Sequence, residues 1–192
     1  MKTIGFAICG SFCTFKNVFI EIEKLVKSGY DIIPIMSENS YSFDTRFGSA
    51  AFWQNELKRI TNKEIIHTIK DAEPIGPKKL LDALIIAPCT GNTLGKLACG
   101  IADTTVTLAT KAHLRNQRPV IIAASTNDAL GNSAKNIGAL MNYKNIYFVP
   151  LRQDSFSTKP ASCVADFTLT EKTLENALNG VQVQPILEIP IE

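Results

Sequence analysis

The sequence predicts an α/β fold, a three-layer αβα sandwich around a mostly parallel sheet of about six strands, and three observations carry that prediction. Short, nearly continuous apolar runs at 3–9, 80–87 and 119–124 have the pattern of strands covered on both faces. Between them lie segments whose apolar residues recur at helical spacing, the alternation expected of a parallel sheet. The 192 residues suffice for one core and contain no linker, repeat or low-complexity tract, so 1–192 is expected to be a single domain.

Composition narrows the function classes. Lys plus Arg is 20 against 18 for Asp plus Glu, with no basic stripe, so nucleic acid is not an expected partner. No apolar run approaches the roughly 18 residues of a membrane span. The N-terminus reads as a first strand and not as a signal peptide. An odd number of cysteines, 5, fits free thiols in a reducing cytoplasm. Cys9 and Cys13 lack a second pair or a His cluster at ligand spacing, so no metal site is expected.

The first strand breaks at Gly10-Ser11, after which Val18, Phe19, Ile22, Leu25 and Val26 mark a helix with Thr14 placed to cap it and Gly29 to end it. A second strand over 30–36 completes a βαβ unit, and Pro34 places it near an edge. Gly10-Ser11 lacks the full G-x-G-x-x-G spacing and reads either as a phosphate site at a helix N-terminus or as a tight turn. Residues 37–47 read as a polar loop, with Ser37 at the strand end and Arg46 its one cation, leading into a helix over 48–60. For 61–73 a short helix opened by Thr61-x-x-Glu64 and a short edge strand both remain open, with His67 in a structural or surface role.

The stretch 85–103 switches character twice: Pro88 stops an apolar run, 89–93 is small and polar, and helical spacing starts at Leu94 and runs to 101. A second helix covers 104–116. The strand 119–124 ends in Ser125-Thr126-Asn127-Asp128, followed by a helix over 131–142 and a strand over 145–150. Residues 151–163 read as a candidate lid loop, 164–169 and 171–179 as a last strand and helix, and 181–192 as a tail suited to packing on a neighbouring subunit.

Four strand ends, Gly10-Ser11, Ser37, 90–93 and 125–127, should therefore meet in one crevice at the carboxyl edge of the sheet. Their neutral, hydroxyl-rich chemistry suits a flat heterocycle with one phosphate, and an FMN fits. Neither a G-x-x-x-x-G-K-[ST] loop nor a G-x-S-x-G elbow is present.

The run DALIIAPCTGNTLGK at 82–96, followed by GIAD at 100–103, resembles the signature of the homo-oligomeric flavin-containing cysteine decarboxylase superfamily. Gly10-Ser11 and Ser37 are similar to its other flavin contacts, PVIIAASTN at 119–127 resembles its next strand and loop, and the likeness spans about 3–150. It implies a Rossmann- or flavodoxin-like sheet, bound FMN and a homo-oligomer, a trimer or multiples of one. TRFG at 45–48, STNDALG at 125–131 and Lys159-Pro160-x-Ser162 resemble one branch most. Proteins of that branch work with a second, NAD(P)-dependent subunit to oxidise a dihydropyridine dicarboxylate to dipicolinate in the mother cell of sporulating bacteria. Decarboxylases of the superfamily carry a His where this chain has Pro74, which favours oxidation. The alternatives are a flavin prenyltransferase or decarboxylase, or a non-catalytic flavin-binding subunit.

The resemblance implies that Gly10, Ser11 and Ser37 hold the phosphate and ribityl chain, while Thr90, Gly91, Asn92, Thr93 and Ser125 line the flavin ring. Asn92 and Asn127 are placed to orient a substrate carboxylate, and Arg46, Arg152 and Lys159 are the candidate cations for a dicarboxylate. Lys96 is expected on a helix surface or interface, and no catalytic base is identified.

Overall fold

The computed structural model describes residues 1–189; the last three residues of the predicted tail lie outside them. Seven strands form one sheet: β1 (Thr3–Ile8), β2 (Asp31–Met36), β3 (Ala83–Cys89), β4 (Val120–Thr126), β5 (Ile146–Phe148), β6 (Leu151–Ser155) and β7 (Lys159–Ala165). The helices are α1 (Phe15–Lys27), α2 (Glu38–Ser42), α3 (Ala50–Thr61), α4 (Ile69–Ala72), α5 (Gly91–Ala98), α6 (Thr105–Leu114), α7 (Ala134–Met141) and α8 (Thr170–Leu178). Strand order is β2-β1-β3-β4, with every pairing parallel, as the alternation of patterns requires. Every residue of β3 is buried, which is why that stretch reads as an unbroken apolar run. On α1, Phe15, Val18, Phe19, Ile22 and Leu25 form the stripe that packs against the sheet.

The sheet forks at β4. The first half of that strand pairs in parallel with β5, from Val120 to Ile122, and its carboxyl end pairs antiparallel with β7 through Ser125 and Thr126. β6 and β7 form a hairpin, so residues 151–163 are ordered strand and turn rather than the expected lid loop. Its turn is closed by Ser155, whose Oγ accepts from the Thr158 N–H at 3.3 Å and from its hydroxyl at 2.7 Å. Its exposed turn and half-buried polar strand β6 carry little apolar alternation to announce it.

Four further boundaries differ from the sequence reading. α5 starts at Gly91, three residues before Leu94, so the small polar stretch is the first turn of the helix. The loop after β2 contains α2, capped by Ser37. Thr61 ends α3, its hydroxyl donating to the Leu57 carbonyl, so the box with Glu64 does not form. Between α3 and α4 only Ile66 joins the sheet, through one parallel bridge to Ile35. The tail folds back on its own chain: the Phe148 N–H donates to Gln182 Oε1, the Gln182 amide donates to the Phe148 carbonyl, and Leu187 bridges Leu151.

Candidate functional site

The carboxyl ends of β1, β3 and β4, together with the β6–β7 hairpin, enclose an open cleft of about 1220 Å³. That exceeds the roughly 300–1,000 Å³ of ordinary small-ligand pockets and leaves room for a cofactor and a substrate together. β1 delivers Gly10 and Ser11 to it, and the turn is fixed by its own backbone: the Ser11 N–H donates to the Cys9 carbonyl and the Thr14 hydroxyl donates to the Ser11 carbonyl. Ser11 Oγ lies 2.9 Å from Ser125 Oγ, so the ends of β1 and β4 are tied across β3. Thr90 starts α5 without a side-chain cap, which leaves first-turn N–H groups open where Gly91 and Asn92 line the cleft.

Gly91 sits where no side chain fits. A Cβ there would lie 2.6 Å from Thr126 Oγ1, 2.9 Å from Ser133 Oγ and 3.0 Å from Asp128 Oδ1. Those three groups form one cluster, with Asp128 Oδ1 accepting from Thr126 at 2.6 Å and from Ser133 at 2.8 Å. The two hydroxyl donors hold the Asp128 carboxyl below the usual range. The cluster thus pins the loop after β4 and the start of α7 against the first turn of α5.

All five cysteines gather here. Cys13, Cys99 and Cys163 line the cleft, and Cys9 and Cys89 are buried at the ends of β1 and β3. Burial pushes the Cys89 thiol well up, so it stays protonated. The Cys9 sulfur accepts from Thr93 Oγ1 at 3.3 Å.

Of the residues expected at the site, Gly10, Ser11, Thr90, Gly91, Asn92, Ser125, Asn127 and Lys159 line the cleft. Four do not. Thr93 points inward to Cys9. Ser37 caps α2, its Oγ accepting from the Ser40 N–H at 3.2 Å. Arg46 lies 4.8 Å over the Phe47 ring, and Arg152 pairs with Asp166 at 3.2 Å. Lys96, expected on a surface, does line the cleft and pairs with Asp103 at 2.8 Å. Sequence reasoning missed Asn132, Lys135 and Asn136, for which the only signal is their place directly after the 125–131 loop. Neither His67 nor Pro74 reaches the cleft: the His67 ring stacks on Tyr41 at 3.8 Å.

The chain matches the model of the Flavoprotein family over residues 1–172. It is 47% identical over 186 residues to the B subunit of dipicolinate synthase of Bacillus subtilis (strain 168), covering 97% of this chain and 93% of that protein. It resembles the crystal structure of the dipicolinate synthase B subunit from Bacillus halodurans C with a TM-score of 0.90 and 43% identity, covering 97% and 96% of the two chains. The FMN-dependent cysteine decarboxylase SpaF shares the fold, with a TM-score of 0.67, 20% identity and coverage of 93% and 96%. The strand-end cleft thus lies on a fold and in a sequence that agree with one another, and the chain belongs to the Flavoprotein family.

Proposed function

We propose that this chain is the FMN-binding subunit of a dipicolinate synthase. It oxidises dihydrodipicolinate, or its hydrated precursor, to dipicolinate together with the A subunit of dipicolinate synthase, which carries the NAD(P). The observation that carries this reading is the hydroxyl- and amide-lined cleft in a chain 47% identical to the B subunit of such an enzyme. Sporulating bacteria, a cytoplasmic site and assembly as a homotrimer or multiples of one belong to the same reading. Among the described residues no helix is long and apolar enough to cross a membrane.

The residues present fit a flavin. The start of α5 lacks a side-chain cap, and Ser11, Thr90, Asn92 and Ser125 bring hydroxyls and an amide to the same cleft. Gly10 and Ser11 would hold the phosphate, on the turn after β1 that leads toward α1 and lines the cleft. Thr90, Gly91, Asn92 and Ser125 would border the ring, while Thr93 holds the wall from behind through Cys9. Flavin, when bound, supplies a two-electron acceptor. The chain's own part is to orient the dicarboxylate through Asn92 and Asn127 and to exclude water with the β6–β7 hairpin.

The test is anaerobic addition of dihydrodipicolinate to the FMN-loaded protein, with and without its NAD(P)-dependent partner. Bleaching of the flavin spectrum and formation of dipicolinate are expected. Turnover by the partner with the flavin spectrum unchanged would leave this chain a non-catalytic flavin-binding role. Prenylation of the flavin by a prenyl phosphate, or decarboxylation of a cysteinyl peptide, would overturn the oxidative reading.

A further inference from the structure

Three cations line the cleft, Lys96, Lys135 and Lys159, and they are not equivalent. Lys96 Nζ is 2.8 Å from Asp103 and Lys159 Nζ is 2.9 Å from Asp154, so both charges are already matched within the chain. With Arg46 outside the cleft and Arg152 paired to Asp166, the cations that the sequence offers to substrate carboxylates are absent or engaged. Lys135 is the exception. Among the described residues it makes neither an ion pair nor a side-chain hydrogen bond, yet it lines the cleft from the first turn of α7.

Lys135 and Asn132 are exposed where they line the cleft, and Asn136 beside them is half-buried. Ser133, one residue before α7, is held by Asp128 at 2.8 Å, which fixes the helix entry. α7 packs on α5, which brings the Asn136 amide next to Gly95 on the cleft side. Asn132 and Asn136 flank Lys135 on the cleft wall, and like Asn92 their amides have no side-chain hydrogen bond to the chain among the described residues. One unmatched ammonium between free amide donors is a receptor for a carboxylate: a point charge with directional donors beside it.

We infer that Lys135, with the amides of Asn132 and Asn136, anchors one carboxylate of the substrate. The inference rests on the dicarboxylate-oxidation reading and assigns its specificity to the start of α7, where it lines the cleft. A monocarboxylate would then lose the contact, and the enzyme would select a pyridine dicarboxylate over its monoacid.

Calorimetric titration of the FMN-loaded protein with dipicolinate and with pyridine-2-carboxylate tests this. Lys135→Gln is expected to weaken dipicolinate binding about tenfold, the size of one charge-assisted hydrogen bond, with a much smaller effect on the monoacid. Lys135→Arg should retain most of the affinity. In turnover KM rises while kcat is kept, the mark of uniform binding. Unchanged dipicolinate affinity in Lys135→Gln overturns the inference and leaves the dicarboxylate reading standing. Loss of FMN affinity in that variant with riboflavin affinity retained would assign Lys135 to the flavin phosphate and also overturn it. Failure of the unsubstituted protein to bind any pyridine dicarboxylate overturns both.

Discussion

Gly91→Ala is the substitution that tests most sharply how the cleft wall is built. The added methyl would meet Thr126 Oγ1 at 2.6 Å, Ser133 Oγ at 2.9 Å and Asp128 Oδ1 at 3.0 Å, so it cannot enter without moving the cluster. Overpacking of this kind costs about 1–3 kcal/mol, and Ala in place of Gly at a helical position returns up to about 1 kcal/mol. The net is a destabilisation of about 1–2 kcal/mol, or a fall in Tm of about 2–8 °C for a chain of this size. FMN affinity should fall with it, because the first turn of α5 shifts with the methyl. Thermal unfolding followed by circular dichroism reads the first effect and flavin titration the second. In a Thr126→Ala background the cost of Gly91→Ala should shrink by at least about 0.5 kcal/mol, since the closest clash is gone. A Gly91→Ala protein with unchanged Tm and unchanged FMN affinity would refute the packing assigned to this wall.

Further predictions concern charge and hydrogen bonding. Burial lowers the His113 pKa to about 4 from an ordinary 6.5, while its contact with the Pro119 carbonyl acts weakly the other way. The folded protein therefore binds that proton later than the unfolded chain, and stability present above pH 6.5 is lost as pH falls toward 4, up to about 3 kcal/mol. Denaturant titrations across that range should show the loss, and His113→Gln should flatten it. Ser133→Ala removes one of the two donors to Asp128 and should raise the carboxyl pKa, read by carbon-13 NMR titration. Ser11→Ala breaks the 2.9 Å contact with Ser125 and should cost about 0.5–1.5 kcal/mol in denaturant unfolding, with weaker FMN retention.

Much of the fold was legible because burial leaves a period in the sequence. β3 is buried at all seven positions and reads as a continuous run, and α1 buries one stripe and reads with a period of 3.6. The meeting of strand ends followed from topology alone, and it held for β1, β3 and β4. It missed for β2 because Ser37 is consumed in capping a helix of five residues, too short to leave a periodic signal. Gly91 is a poor helix former, so propensity placed the helix start at Leu94; the close approach of Thr126 and Ser133 decides the matter, and that is visible only in three dimensions. In the β6–β7 hairpin β6 is mostly polar and half-buried and β7 opens with exposed Lys159 and Pro160, so neither strand alternates cleanly. Lys135 was out of reach for a different reason. A lone Lys in a sequence has no sign of whether a carboxylate answers it, and only the pairing of Lys96 and Lys159 sets Lys135 apart.

The most direct test of the flavin cleft is a titration of FMN into the purified flavin-free protein, followed by the visible spectrum and by the fluorescence of Trp53, the chain's single tryptophan. Trp53 is linked to the cleft through Phe15, at 5.3 Å, and Phe12, at 5.1 Å from Phe15, so bound flavin should quench it. Saturable uptake of one FMN per chain is predicted, weakened in both Ser11→Ala and Gly91→Ala. A protein that takes up no FMN, or that binds it equally well with both substitutions in place, would contradict the assignment of this cleft.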